Sequence, residues 1–405
     1  MIPTILNALA FYALFMFYIN RVRRINGSAV ILCLYAVVAV LGIVFCNMGY
    51  WNPDDIQFWP YLYFFVLACA TFYPIIKADE RIDSNFVDEI QITKSLNILV
   101  IVYLVCSLAV IYGMWTNIIS KVLSGDWQSV KVDAYSGTGE GVGAVVAYAA
   151  AFAVYFRFLI IPYCFYRFSK DNYNFYITMG LLLVCLLSTL FHYLLIAYRG
   201  GLFSILVMGL ISYLYFQKEM SLKVKKKLWA LGGVFAVGVM FIALSITASR
   251  FEETDSGTGG SIIEYFGQPM VNYNCGIATR ATDYMDGKYF FMSHWKLDKD
   301  DFWIDSKYNI ETNDGSDFDT LIGCFFIDFG PILTVFIILL SSAFLALLFS
   351  RKISNWSTIY LLFFYMDLIV AGVFHGPSSL SQLVVNAIII YSILFVIERK
   401  QLISI

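Results

Sequence analysis

The chain reads as an all-α polytopic membrane protein, and three observations lead there. Of its 405 residues 60% are hydrophobic and only 14% charged, with a mean hydropathy of +0.73, against roughly 45–50% and 25% in soluble domains. The apolar residues gather into about eleven runs long enough to cross a hydrocarbon core of about 30 Å. Lipid offers no partner for a backbone N–H or C=O, so each run has to close its hydrogen bonds internally, as a helix.

In chain order the expected spans are 2–20, 29–49, 58–77, 96–118, 145–166, 174–197, 202–217, 228–247, 319–349, 358–375 and 380–397. They make one integral membrane domain, residues 1–405. The first run has no basic n-region and no small-residue cleavage site, so it reads as a retained helix. Alternate loops differ in charge. One set holds Arg21, Arg23 and Arg24, the Lys218–Lys227 stretch and Arg399 with Lys400, and carries 17 of the 27 Lys and Arg, although the other set is nearly twice as long. By the positive-inside rule the first set is cytoplasmic, with the N-terminus outside and the C-terminus inside. Seven of the eight cysteines fall within apolar runs and only Cys275 lies in a polar segment, which argues against a disulfide framework. A net charge of −2 points to no nucleic-acid partner.

That orientation puts four segments outside: the 119–144 loop, the AYRGG turn, a large loop at 248–318 between the eighth and ninth spans, and the HGPSS turn at 375–379. The large loop holds 13 of the 29 carboxylates together with Tyr265, Tyr284, Trp295 and Trp303. Disordered segments are poor in aromatics, so this one is expected to fold, with short helices in SIIEYFGQPMVNYNCGIATRATDYM. Acidic and aromatic surface suits sugar: hydroxyls bond to carboxylates, and apolar ring faces stack on Tyr265, Trp295 and Trp303. The alternative is a loop that packs its own aromatics. Asp298 with Asp300, and Asp317 with Asp319, have the Asp-x-Asp form that holds a metal and nucleotide sugar in soluble glycosyltransferases. Nucleotide sugars are absent outside, so no metal and no cofactor is expected.

Four cationic positions remain on that side: Arg199 in AYRGG, Arg250 in ITASRFEE, Arg280 in CGIATRATDY and His375 in VFHGPSS. Guanidinium makes paired, charge-assisted bonds to phosphate oxygens and stays charged. Gly200 and Gly201 remove bulk and leave N–H groups free at a helix start, a position favourable to anions. An arginine there can equally be an interfacial anchor, the simpler reading for Arg250 or Arg280 alone. Within the membrane lie Arg157, Asp328 and Asp367; such charges need a partner or a cavity. A structural ion pair or triad is the expected arrangement. His192, inside an apolar helix, reads as a core residue.

These residues carry a resemblance. AYRGGLFSIL, the loop that opens with Arg250 and carries IIEYFGQPMVNYNCGIATR, and DFDTLIGCFFIDFGPILTVF together resemble the Wzy-type polymerases of bacterial O-antigen and capsule oligosaccharide repeat units. The likeness spans Ile196 to Phe336; the first 195 residues match only in hydropathy, and the family usually has more spans. It implies a GT-C-like glycosyltransferase in the bacterial inner membrane with its active site facing the periplasm. The implied partners are an undecaprenyl-pyrophosphate-linked glycan donor and acceptor, membrane lipid and a chain-length regulator protein. On this reading Arg199, Arg280 and, less directly, Arg250 bind pyrophosphate. The base is His375, whose reference pKa of about 6.5 lets it accept a proton, or else Glu264, Glu140 or His294. An O-antigen ligase or another GT-C enzyme would share the arginines and the histidine; a polysaccharide flippase would place its site near mid-membrane.

Overall fold

The computed structural model describes residues 1–49, 51–82, 86–124, 127, 143–170, 174–195, 198–251, 257–279, 284, 287, 290–291, 320–351, 353–374 and 380–402. Among these described residues ten helices are long and apolar enough to cross a membrane, and an eleventh apolar helix is shorter. In chain order the main helices are α1 (Ile2–Val22), α2 (Gly27–Cys46), α3 (Phe58–Arg81), α4 (Lys94–Ser124), α5 (Ala144–Phe168), α6 (Phe175–Leu195), α7 (Arg199–Phe216) and α8 (Leu222–Phe251), then α9 (Gly257–Asn272), which is not one of these eleven, α10 (Leu321–Phe349), the shorter α11 (Trp356–Ala371) and α12 (Leu380–Leu402). No strand occurs among the described residues. The faces left uncovered are apolar at helical spacing: Ile98, Ile101, Val105 and Leu108 on α4, and Val234, Val237, Phe241 and Leu244 on α8. Such surfaces are stable in lipid and not in water. The protein is a multi-pass membrane protein.

Several spans differ from their expected bounds. α8 starts six residues before 228, because Lys223, Lys225, Lys226 and Lys227 favour helix and extend it past the apolar run. α7 starts at Arg199, taking the arginine and both glycines into the helix instead of leaving them in a turn. The ninth expected span is not one continuous helix. Gly330 within it has φ 73 and ψ 174, and Pro331 follows, so α10 is two helical pieces joined at a break. That backbone region is open essentially to glycine alone, and proline has no N–H with which to continue the ladder.

The chain forms two compact units. The first comprises 1–81, 262–353 and 365–389; the second comprises 82–261, 354–364 and 390–405. In the first, α1, α2 and α3 interlock through aromatics: Phe11 on Tyr35 at 5.8 Å and Tyr35 on Phe72 at 4.7 Å between centroids. Into this group packs α9, part of the segment expected as an outside loop. Gly267 meets α2 so closely that a Cβ would lie 2.6 Å from the Leu41 carbonyl oxygen. The Asn7 amide reaches Met270 Sδ at 3.5 Å. A π-turn over Tyr273–Ala278 continues α9 and is buried throughout. In the second unit Leu202, Ile205 and Ile246 sit at the centre of an apolar cluster drawn from α4 to α8. Two of its buried hydroxyls bond back to their own helices, Ser212 to the Met208 carbonyl at 2.8 Å and Thr189 to that of Cys185 at 2.9 Å, which satisfies them locally.

Candidate functional site

The second unit seats Arg199. Tyr198 N–H donates to the Tyr193 carbonyl near the end of α6 at 2.9 Å, and Arg199 is the first residue of α7. The side chain is only 9% exposed, and its Nη1 donates to Thr247 Oγ1 on α8 at 3.1 Å. That hydroxyl donates in turn to the Ala243 carbonyl at 2.8 Å. Its proton is therefore committed to the helix and its lone pair is turned to the guanidinium, a fixed polarity that orients the planar fork. Arg250 lies on the same helix three residues beyond Thr247.

The two glycines have a packing role that the sequence alone does not show. A Cβ on Gly201 would come within 2.6 Å of the Tyr193 ring, and one on Gly200 within 3.1 Å of the Tyr198 ring. Those tyrosines contact each other edge-on at 5.5 Å. Arg157 stacks its guanidinium over Phe158 at 4.1 Å and over Tyr193 at 5.5 Å, and Nη1 donates to the Val154 carbonyl at 2.7 Å. One tyrosine ring thus packs on both Gly201 and the buried Arg157. Two aromatic rings and a backbone carbonyl thus seat the Arg157 guanidinium. His192 is half-buried, its ring 5.7 Å from that of Tyr193.

The first unit gathers a different set. Glu264 is buried on α9. Its neighbours Tyr265 and Phe266 both pack on Phe374, at 5.3 and 5.4 Å, the residue that precedes His375. Phe374 and Gly372 are stitched to the start of α10: Thr320 N–H donates to the Phe374 carbonyl at 3.3 Å and Leu321 N–H to that of Gly372 at 2.7 Å. Thr320, fully buried, takes φ 57, while its hydroxyl accepts from Gly323 N–H at 3.0 Å as the helix cap. Asp328, 1% exposed, accepts the backbone N–H of Phe290 at 2.8 Å. The Phe290 carbonyl accepts from Ser381 N–H at 3.2 Å, and its ring lies 5.9 Å from Phe325 and 6.0 Å from Phe329. Tyr284 covers Gly330, where a Cβ would be 2.9 Å from its ring. The Asp-Phe-Gly-Pro break is thereby the seat of Tyr284 and Phe290.

Sequence reasoning missed four polar groups. Gln268 and Asn272 continue from Glu264 at helical spacing, all three buried; that i, i+4, i+8 stripe was the available signal. Asn272 accepts from Trp51 Nε1 at 2.9 Å. Asn274 accepts from Gln57 N–H at 3.0 Å and donates to its carbonyl at 2.7 Å, an amide pairing with backbone as a strand would. Thr247, the fourth, carried no signal.

Arg280, His375, Glu140, His294, Trp295, Trp303 and the pairs Asp298–Asp300 and Asp317–Asp319 lie outside the described residues, as does the side chain of Arg250. The geometry therefore brings together Arg199 with Thr247 in one unit, and Glu264, Tyr265 and Phe374 with the base of α10 in the other. Comparison of the chain with known protein families, with characterised proteins and with solved structures found no match.

Proposed function

We propose that this protein is a repeat-unit polymerase of the Wzy type, a GT-C-like glycosyltransferase of the bacterial inner membrane that works on the periplasmic side. It transfers a growing glycan from undecaprenyl pyrophosphate to the non-reducing-end hydroxyl of a new lipid-linked repeat unit. The bond between the anomeric carbon and the pyrophosphate oxygen breaks, the acceptor oxygen bonds to that carbon, and the hydroxyl proton passes to a base. Arg199 and Arg280, with Arg250 beside them in role, stabilise the departing pyrophosphate, where negative charge grows as the bond breaks. His375, Glu264 or Glu140 takes the proton, Tyr265, Trp295 and Trp303 stack on the glycan, and a chain-length regulator is the expected partner.

The observation that carries this reading is the seat of Arg199. It is a buried arginine at a helix start, with its fork oriented by a hydroxyl whose own proton is spent on the backbone. A membrane anchor needs no such orientation. The test is complementation of a strain lacking the gene. Arg199→Lys should fail almost as completely as Arg199→Ala, since an ammonium supplies charge without the planar fork. Loss of one preorganised donor costs about 2.7–4 kcal/mol, roughly a hundred- to a thousandfold in rate. Both variants, at normal protein level, should leave surface glycan one unit long; full-length polymer from Arg199→Lys ends the bidentate role.

The break in α10 favours one second reading, a polysaccharide flippase, because interrupted helices line transport sites. The same strain separates the two. Without a polymerase, single units still reach the surface; without a flippase, none do.

A further inference from the structure

The turn between α1 and α2 lies apart from every group used above. α1 ends in an arginine: Arg23 adopts the left-handed conformation, φ 53 and ψ 26, and its N–H closes the helix on the Ile19 carbonyl at 2.8 Å. Glycine or asparagine is the ordinary occupant of such a position, and a larger side chain is strained there. Arg24 follows, its Nη2 held by the Asp79 carbonyl at the end of α3 at 2.7 Å. The polar groups that follow are tied down: Asn26 caps α2 through Ala29 N–H at 3.0 Å and pairs with Tyr18, and Asp79 accepts from Ser28 N–H at 2.8 Å. At the turn itself opens a cavity of about 490 Å³ lined by Ile19, Asn20, Arg23, Arg24 and Ile25. It mixes two guanidinium side chains and an amide with two isoleucines, of which Ile25 is 65% exposed.

What leads to the cavity decides its occupant. Along α1 the uncovered positions are Ile2, Ile5, Leu6, Leu9, Tyr12, Met16 and Phe17, one stripe at helical spacing that continues into Asn20 and Arg21, both exposed, and so to the arginines. A free anion would have no use for that stripe. A phospholipid would: acyl chains lie along Leu9 to Phe17 and the headgroup phosphate meets the guanidinium forks, which match its oxygens in pairs. We infer that the α1–α2 turn is a binding site for one anionic glycerophospholipid, its phosphate held by Arg23 and Arg24 and its chains by the exposed face of α1.

The inference does not depend on the proposed enzymatic role and is tested on the purified full chain in detergent, by retention of added phosphatidylglycerol in native mass spectra and by the thermal shift it produces. Wild type should retain phosphatidylglycerol and be stabilised by it, with little effect from phosphatidylcholine or from soluble glycerol 3-phosphate. Arg23→Gly relieves the left-handed strain while removing the charge, and Arg24→Gln keeps a donor for the Asp79 carbonyl, so the turn folds in both. Since each arginine near a membrane surface contributes about fivefold in affinity for anionic lipid, the double variant should bind about thirtyfold more weakly. Equal shifts from both lipids, unchanged retention by the double variant, or binding of glycerol 3-phosphate as tight as that of the lipid would each overturn the site.

Discussion

The two units solve the problem of a buried charge in opposite ways. In the second, the Arg199 cation sits in a regular frame, a helix start facing a helix interior, and a threonine hydroxyl supplies the acceptor. In the first, the Asp328 anion is met by the main chain of Phe290, and the frame is irregular: a glycine at φ 73 within α10 and a threonine at φ 57 before it. A side-chain acceptor leaves the backbone ladder intact. The Phe290 donor lies outside any helix, and the residues with strained dihedrals, Thr320 at the cap and Gly330 within, belong to the same α10 that carries Asp328. The second arrangement tolerates small changes of side chain; the first depends on conformation.

That contrast can be broken from either side. Gly330→Ala should have the largest effect on folding, because the new Cβ forces a glycine-only conformation and meets the Tyr284 ring at 2.9 Å. A loss of about 2–4 kcal/mol is expected, seen as a lower melting temperature in detergent and less protein in the membrane. Wild-type melting would show that the break relaxes freely. Asp328→Ala comes next: it strips the acceptor from the part-buried Phe290 N–H, at about 1–3 kcal/mol. Asp328→Asn retains a carbonyl oxygen for Phe290 and should recover most of that loss. Should asparagine prove as damaging as alanine, the charge of Asp328 matters more than its bond to Phe290. Smallest is Thr247→Val, nearly isosteric, which removes one acceptor from Arg199 at about 1 kcal/mol, on the proposed function roughly fivefold in polymer formation, with Thr247→Ser close to wild type. Equal activity in valine and serine variants would mean the guanidinium is oriented by something else.

The same contrast explains what the sequence could disclose. Apolar runs locate spans because burial in lipid depends on composition over about twenty residues, and so each expected run has a helix within it, from Ile2–Val22 to Leu380–Leu402. Arg199 stood out because one charge in an apolar hairpin has few partners to choose from. The packing partners of Gly200 and Gly201 were not legible, since Tyr193 and Tyr198 close on them only once α6 and α7 are side by side. The break at Gly330 was hidden inside an apolar run that continues through it, and Pro331 alone does not fix the dihedral of its neighbour. The docking of α9 was masked by composition: the segment is polar enough to read as a loop, yet Gln268, Asn272 and Asn274 are buried, two of them bonded to Trp51 and Gln57. Such pairings join positions more than two hundred residues apart, which no local pattern encodes.

The seating of α9 also fixes a schedule. The surface that receives it, Asn7, Gly42, Trp51 and Gln57, is complete once α3 has been made, whereas the residues that cover it begin at Ile262, after the whole of 82–261 has been synthesised into the other unit. At about 5–20 residues per second, an interval of about 180 residues lasts roughly 10 to 40 seconds. Through that time the first three helices stand with a polar groove uncovered, and an amide such as Asn7, left in lipid, seeks any donor or acceptor within reach. The nascent chain is therefore most open to wrong pairing midway through its own translation, and a ribosome that paused between α3 and α9 would lengthen that exposure in direct proportion.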